Sequence, residues 1–543
     1  MTGASRAARA IALILSLAAL AGCARAGDGR SGGGEPGTFR WADAEDIDNL
    51  NPLLSTQTVV EDLSAFTMGY FFVFDAKGDP RPSLCLTVPT RANGLISADG
   101  RSLTFKLRRG VLWQDGKPFT AADVTFTVAT ILDPKTNVLT REGWDEIERV
   151  DAPDPYTVVF RLRHPYAAFL NRFFTPVGNP AILPVHLLKG KDVNHDPYNG
   201  LPVGLGPFRY VKWTRGDEVV MEAFPRYWGG APRLKRIVYK IVPDVNTAIT
   251  QLRTGELDAF VRVPNTEIEQ ARAIPGTRTV DHDVNAYGHL DFNVSRPALR
   301  DVRVRRALAS ALDLRTLWDK VDRGSGFLAC TPISHLSWAY DAHAPCYPFD
   351  LKRAAGLLDQ AGWRMGADGL RHKGGAALAL SFAGNVGNPG LDARVAMIGG
   401  WFAKIGVKLD YVRYPTNKLF ASYAGGGIAA TRDYDLISYA WSLSPDPDVR
   451  NLVACSRISP KGQNYMGYCD PAVDAALGDA LANYDRSKRL ADYIFVQERL
   501  ARDVPFVVLS QRTEHTTVSE RLHGFAPGPI MDFWNPTELS IGP

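Results

Sequence analysis

LTFKLRRGVLWQDGKPFTAAD, residues 103–123, folds several structural instructions into one short run. Apolar Leu103, Phe105 and Leu107 alternate with Thr104, Lys106 and Arg108, the period of a half-buried strand. Gly110 and the Asp115-Gly116 pair supply turns. Thr120 followed three residues later by Asp123 is a capping pair, which predicts a helix through Val124, Val128 and Ile131. A strand, tight turns and a capped helix in succession are what an α/β layer is built from.

The same grammar continues outward. PDVNTAITQLRTGELD (243–258) predicts an amphipathic helix carrying Ala248 and Leu252 and stopped by Gly255. In DVRVRRALASALD (301–313), Val304, Ala307, Leu308, Ala311 and Leu312 share one helical face, so Arg303, Arg305 and Arg306 are expected in solvent. DLKRAAGLLDQAGW (350–363) begins with an Asp350 cap, buries Ala354, Leu357, Leu358 and Ala361, and stops at Gly362; ADGL then makes a hairpin turn. A helix through Met397 and Phe402 ends at Gly406 before the strand VKLDYV, and a late helix over 490–501 precedes the buried strand VPFVVLS.

The 543 residues, 45% hydrophobic and 22% charged, suffice for two compact domains. The N-terminus, MTGASRAARAIALILSLAALAGC, has a basic start, an apolar run too short to span a bilayer, and small residues before Cys23, which together read as an export signal. It resembles the bacterial lipobox, which implies removal of residues 1–22 and lipidation of Cys23, whose buried methylenes hold the chain at a membrane at about 0.8 kcal/mol each. An ordinary cleaved signal is the alternative. Residues 23–38 hold six glycines between Ala24 and Thr38 and read as a flexible tether. Losing Arg6 and Arg9 lowers the formal charge from +4 to +2, too small an excess to indicate nucleic acid.

Five further cysteines suit an oxidising compartment. Cys330 lies near Cys346 and Cys455 near Cys469, and each pair could close a small loop worth about 3 kcal/mol in the chain-entropy model. Cys85 is left as a buried apolar residue. There is no C-x-x-C, H-E-x-x-H, G-x-S-x-G or Walker A motif, so no metal, cofactor or catalytic group is assigned. His282 and His289 read as hydrogen-bonding residues in an extended segment. GLGPF (204–208) lacks the third glycine of a dinucleotide fingerprint.

The run at 103–123 closely resembles the motif "tFkLR.gv.WsDG.P.tA.DV" of the solute-binding proteins of bacterial peptide and nickel ABC importers. The resemblance extends through LNP (50–52), GLGPF, RYWGG (226–230) and 243–258, and covers nearly all of the mature chain. It implies a two-lobed periplasmic-binding-protein α/β fold, with lobe one at 39–285 plus 509–543, a subdomain inserted at about 70–195, and lobe two at 286–508. Two strands crossing between the lobes would form the hinge. It further implies a lipid-anchored, monomeric periplasmic or cell-surface protein that delivers a peptide to membrane permease subunits without chemistry.

For the site, the resemblance points to YAWSLSPDPD (439–448). Relatives read approximately "gW..DypDP" there, an aromatic platform and an acid for a peptide's terminal ammonium. Trp441 matches the platform, with core packing as its alternative, and Asp446-Pro447 matches the closing Asp-Pro. Ser444 stands nearest the ammonium-binding acid and cannot supply its charge. Tyr439, Asp446 and Tyr70, the last in the segment GYFFVF that resembles the family's first cleft-facing element and with the same core-packing alternative as Trp441, complete the expected cleft set. The missing acid raises the alternatives of a blocked peptide, an oligosaccharide, an opine or a metal chelate; a secreted hydrolase on the same fold is the competing class. Cys455 and Cys469 would be paired as in dipeptide-binding relatives.

Overall fold

A computed structural model describes residues 36–542 except 56, 139–140 and 177–179. The export signal and Cys23 lie outside the described residues. Among those described, no helix is long and apolar enough to cross a membrane.

The opening run forms the strand Ser102–Lys106, left-handed turns at Gly110 and Gly116, and the helix Ala121–Leu132. The Thr120 hydroxyl accepts from Ala122 N, and the Asp123 carboxylate accepts from Thr120 N at 2.9 Å. The strand pairs with Thr157–Leu162, which also pairs with Ile147–Asp154, in a three-stranded sheet backed by Phe71, Trp113, Phe160 and Phe174. Gln114 ties this unit to the rest of the chain. Its Nε2 donates to the carbonyls of Thr67, Gly206 and Phe208, and its Oε1 accepts from Gly204 N at 2.8 Å. That contact explains the GLGPF glycines, because a Cβ at Gly204 would sit 1.9 Å from the Thr67 carbonyl oxygen.

One ten-stranded sheet organises the remainder. Its order is Lys408–Tyr414, Ala379–Asn385, Leu436–Ser442, Thr277–Phe292, Phe506–Ser519, Ala259–Phe260, Thr38–Asp43, Arg236–Ile241, Glu218–Ala223 and Phe208–Thr214. The two long central strands, Thr277–Phe292 and Phe506–Ser519, run antiparallel and belong to both halves. Pairing is regular from Thr277↔Ser519 to Asp283↔Thr513 and resumes at Tyr287↔Gln511. Between them Val284, Asn285 and Ala286 face Arg512 alone, a bulge that bends the ribbon at the join.

Each half has its own core. One gathers Phe39, Trp41, Phe66, Phe208 and Phe533; the other is split between a cluster around Phe292, Leu308, Phe382 and Phe402 and one around Tyr287, Val473, Tyr493 and Val496. The predicted caps at Asp350 and the stops at Gly255 and Gly362 are present. Disulfides join Cys330 to Cys346 and Cys455 to Cys469, and Cys85 is free and buried.

One expectation for the arginine cluster is corrected. Arg303 and Arg306 are exposed or partly so, but Arg305 is only 6% exposed. Its guanidinium donates to the carbonyls of Leu299, Asp503 and Val504, satisfying the end of the helix Arg486–Asp503. Five fixed donors make arginine suited to that task, which helical periodicity does not register.

Candidate functional site

The bulge opens onto a cavity of about 610 Å³ between the two halves. That is the size range of small-molecule sites. Val284, Asn285, Ala286 and Arg512 form its floor. Asn285 also fixes the surroundings: its N–H donates to Pro529 O at 2.8 Å, and its carbonyl accepts from Leu443 N at 2.6 Å.

One wall is the loop after the strand Leu436–Ser442. Trp441, half-buried, and Ser444 line the cavity, together with Ser442, Leu443 and Asp448. The other expected residues are placed elsewhere. Tyr70 is 3% exposed and its hydroxyl hydrogen-bonds Ser64 Oγ at 2.8 Å, packed with Met68 and Ala181. Tyr439 shares a strand face with Trp441, but Phe420 and Tyr465 cover it and its hydroxyl donates to Asp291. Asp446 turns away from the cavity to Arg489, at 2.5 Å, and Tyr493. Burial pushes its carboxyl up despite the arginine. Tyr70, Tyr439 and Asp446 are therefore packing and pairing residues: an apolar neighbourhood or a buried guanidinium claims each side chain before it reaches the cleft.

The Asp446 backbone meets the three-stranded-sheet unit instead. Asp446 N donates to Asn171 Oδ1 at 2.7 Å, and Asn171 Nδ2 donates to Asp446 O at 3.0 Å. Ala167 N donating to Leu481 O and the Tyr484 hydroxyl donating to Gly100 O extend the join. Nearby, Glu142 pairs with Arg172 at 3.0 Å and Asp448 with Arg450 at 3.0 Å. Burial opposes ionisation of Asp448, but Arg450 outweighs it and holds the carboxyl below its usual value.

The opposite wall is charged in a way no sequence motif announced. Arg262, held at a left-handed φ of 55°, aims its guanidinium at Asp43 (2.5 Å), Asp62 (2.8 Å) and Asp532 (3.5 Å). His282 Nε2 lies 2.9 Å from the other oxygen of Asp532. Glu514 stands beside them and meets Arg512 at 3.6 Å. Burial drives the Asp62 carboxyl well above its ordinary range, against the pull of Arg262. Asp532 is also buried, but the His282 hydrogen bond and the charges of His282 and Arg262 hold it low. His282 is correspondingly raised: Asp532, Glu514 and Asp283 outweigh its burial. His289 sits apart in the core, its Nδ1 on Asp291 at 2.6 Å. In the sequence, RTE (512–514) lies within the polar run SQRTEHTT (510–517) of the strand Phe506–Ser519, and nothing there announces this wall.

A cavity that is floored by strands shared between two halves, and walled by segments from both, suits enclosure of a small solute. No nucleophile–base pair is gathered among its described lining residues. Similar proteins agree with this geometry. The oligopeptide-binding protein AppA of Bacillus subtilis is 28% identical over 90% of this chain and 88% of its own. Its structure with a nonapeptide matches with a TM-score of 0.81 at 26% identity, covering 94% of this chain and 99% of that one. NikZ of Campylobacter jejuni, solved with Ni(L-His), matches with a TM-score of 0.81 at 25% identity over 93% of this chain and all of its own. The model of the bacterial extracellular solute-binding proteins, family 5, matches residues 88–460. The chain belongs to that family, whose members bind solutes and are not enzymes.

Proposed function

We propose that the protein is the extracytoplasmic binding component of an ABC importer, which encloses a peptide or peptide-like solute and hands it to membrane permease subunits. The observation that carries this reading is the cavity at the bulge of the two shared strands, with Trp441 as an aromatic platform. Closure would be a rotation about that bulge, between lobe one (39–285 plus 509–543, with the subdomain at about 70–195 inserted) and lobe two (286–508). Lipidation of Cys23 would keep a monomeric protein at the membrane surface, next to its permease. AppA and the di/tripeptide-binding protein 2 of Pseudomonas aeruginosa, 26% identical over 86% of this chain, favour a peptide. Ser444, uncharged and in the cleft wall, together with the likeness to NikZ, favours a second reading, a blocked peptide or a metal chelate.

Calorimetric titration with free and N-acetylated di- to pentapeptides and with nickel–histidine, followed by chromatography of the recovered ligand, tests both readings. Saturable binding of unchanged peptide is expected. Turnover of the ligand, or no binding of any of these solutes, would overturn the proposal.

A further inference from the structure

A residue inserted in a β-ribbon loses its ladder partners. Asn285, in the middle of the bulge, finds others: its N–H donates to Pro529 O at 2.8 Å and its carbonyl accepts from Leu443 N at 2.6 Å. The side chain is left over. Oδ1 is buried without a donor, and among the described residues nothing hydrogen-bonds Nδ2. The residue lies in the cavity floor between apolar Val284 and Ala286. An amide carries both a donor and an acceptor, and a buried one without partners is costly. Alanine could follow the same backbone path with the same two bonds, so the fold gives the carboxamide no task. The position adds a second point. Pro529 belongs to the C-terminal segment and Leu443 to the wall of Ser444, so Asn285 is held where the two halves join.

We infer that the Asn285 carboxamide is a specificity-determining group that hydrogen-bonds one peptide amide of the solute at the join between the halves. The inference rests on the peptide reading above and assigns to it a residue that reads an amide. Rotation about the Cβ–Cγ bond exchanges Oδ1 and Nδ2 and breaks no hydrogen bond within the protein. The group can therefore accept from the solute's N–H or donate to its carbonyl. Trp441 offers a flat face, which many solutes can cover. The carboxamide is more demanding, because a solute without a matching group leaves it unpaired in a closed cleft. Its place at the join also means that a solute bonded there touches the point about which the halves turn, and not one wall alone.

The test is calorimetric titration of the ligand-free full-length protein with N-acetyl-Ala-Ala-Ala and with analogues in which one amide N–H at a time is replaced by an ester oxygen. The ester removes the donor and weakens the carbonyl as an acceptor. At one of these bonds the parent should lose about fivefold in affinity, the worth of one hydrogen bond. Asn285→Ala should bind the all-amide peptide about fivefold more weakly, show no further loss at that bond, and keep the parent's losses at the others. Its ligand-free Tm should not fall, because no hydrogen bond within the protein is removed. Asn285→Leu, similar in volume to the parent residue, repeats the test with the space filled. Equal affinities of parent and variants, the result if water satisfies the amide, would overturn the inference and leave the peptide reading standing. So would ester losses that are the same in parent and variants at every bond, or a loss of affinity accompanied by a lower ligand-free Tm. Binding of no peptide by the parent would overturn both.

Discussion

Replacing Asn171 by alanine should weaken solute binding without weakening the fold. The Asn171 amide makes two hydrogen bonds, at 2.7 and 3.0 Å, to the backbone N–H and carbonyl of Asp446, in the loop that carries Ser444 and follows the strand bearing Trp441. With the halves closed, the deletion leaves both Asp446 groups without partners; with them parted, water serves those groups. The cost of losing these two bonds therefore falls on the closed form. At about 0.5–1.5 kcal/mol for each bond, the closed form loses about 1–3 kcal/mol relative to the open one, roughly a five- to 150-fold rise in Kd. Titration calorimetry reads the affinity and small-angle scattering the compaction on ligand addition, while the melting temperature of the ligand-free variant should stay near that of the parent. An unchanged Kd would refute the reasoning. So would a loss of affinity matched by an equal loss of ligand-free stability, because the bonds would then belong to the fold and not to closure.

Trp441→Ala should raise Kd about tenfold and Trp441→Phe far less, since an aromatic face contributes about 1 kcal/mol beyond its area; equal losses in the two variants would contradict a platform role. Gln114→Ala should cost 3 kcal/mol or more of stability, roughly 1–3 kcal/mol for each backbone group left without its partner around Thr67, Gly204, Gly206 and Phe208, and urea unfolding would show it. His282 has a folded pKa raised above 6.5, so it binds its proton more tightly folded than unfolded. Its contribution is complete below about 6.5 and is lost as pH rises through the raised value. The Tm difference between parent and His282→Asn should therefore shrink from pH 6 to pH 9, and a difference that grows would contradict the Asp532 pairing.

Legibility in the sequence followed the range of the interaction. Capping at Thr120 and Asp350 and the stops at Gly255 and Gly362 depend on neighbours a few residues away, and all were readable. Helical periodicity found the buried face of 301–313, but Arg305 obeyed the unpaired carbonyls near Asp503, nearly two hundred residues on. The aromatic wall was reached through resemblance at Trp441, and adjacency then misled at Tyr439 and Asp446, whose partners Asp291 and Arg489 come from other elements. The acidic wall was invisible for the same reason: Asp43, Asp62, Arg262, His282, Glu514 and Asp532 are spread over the whole chain and meet only when the two long strands bring the C-terminal segment back to the first half.

Mass spectrometry of whatever co-purifies with the full-length protein tests the central claim most directly. The account predicts one intact solute per chain, peptide-like and chemically unchanged. A hydrolysed product set, or preparations that retain nothing and bind none of the peptides and chelates named above, would contradict it.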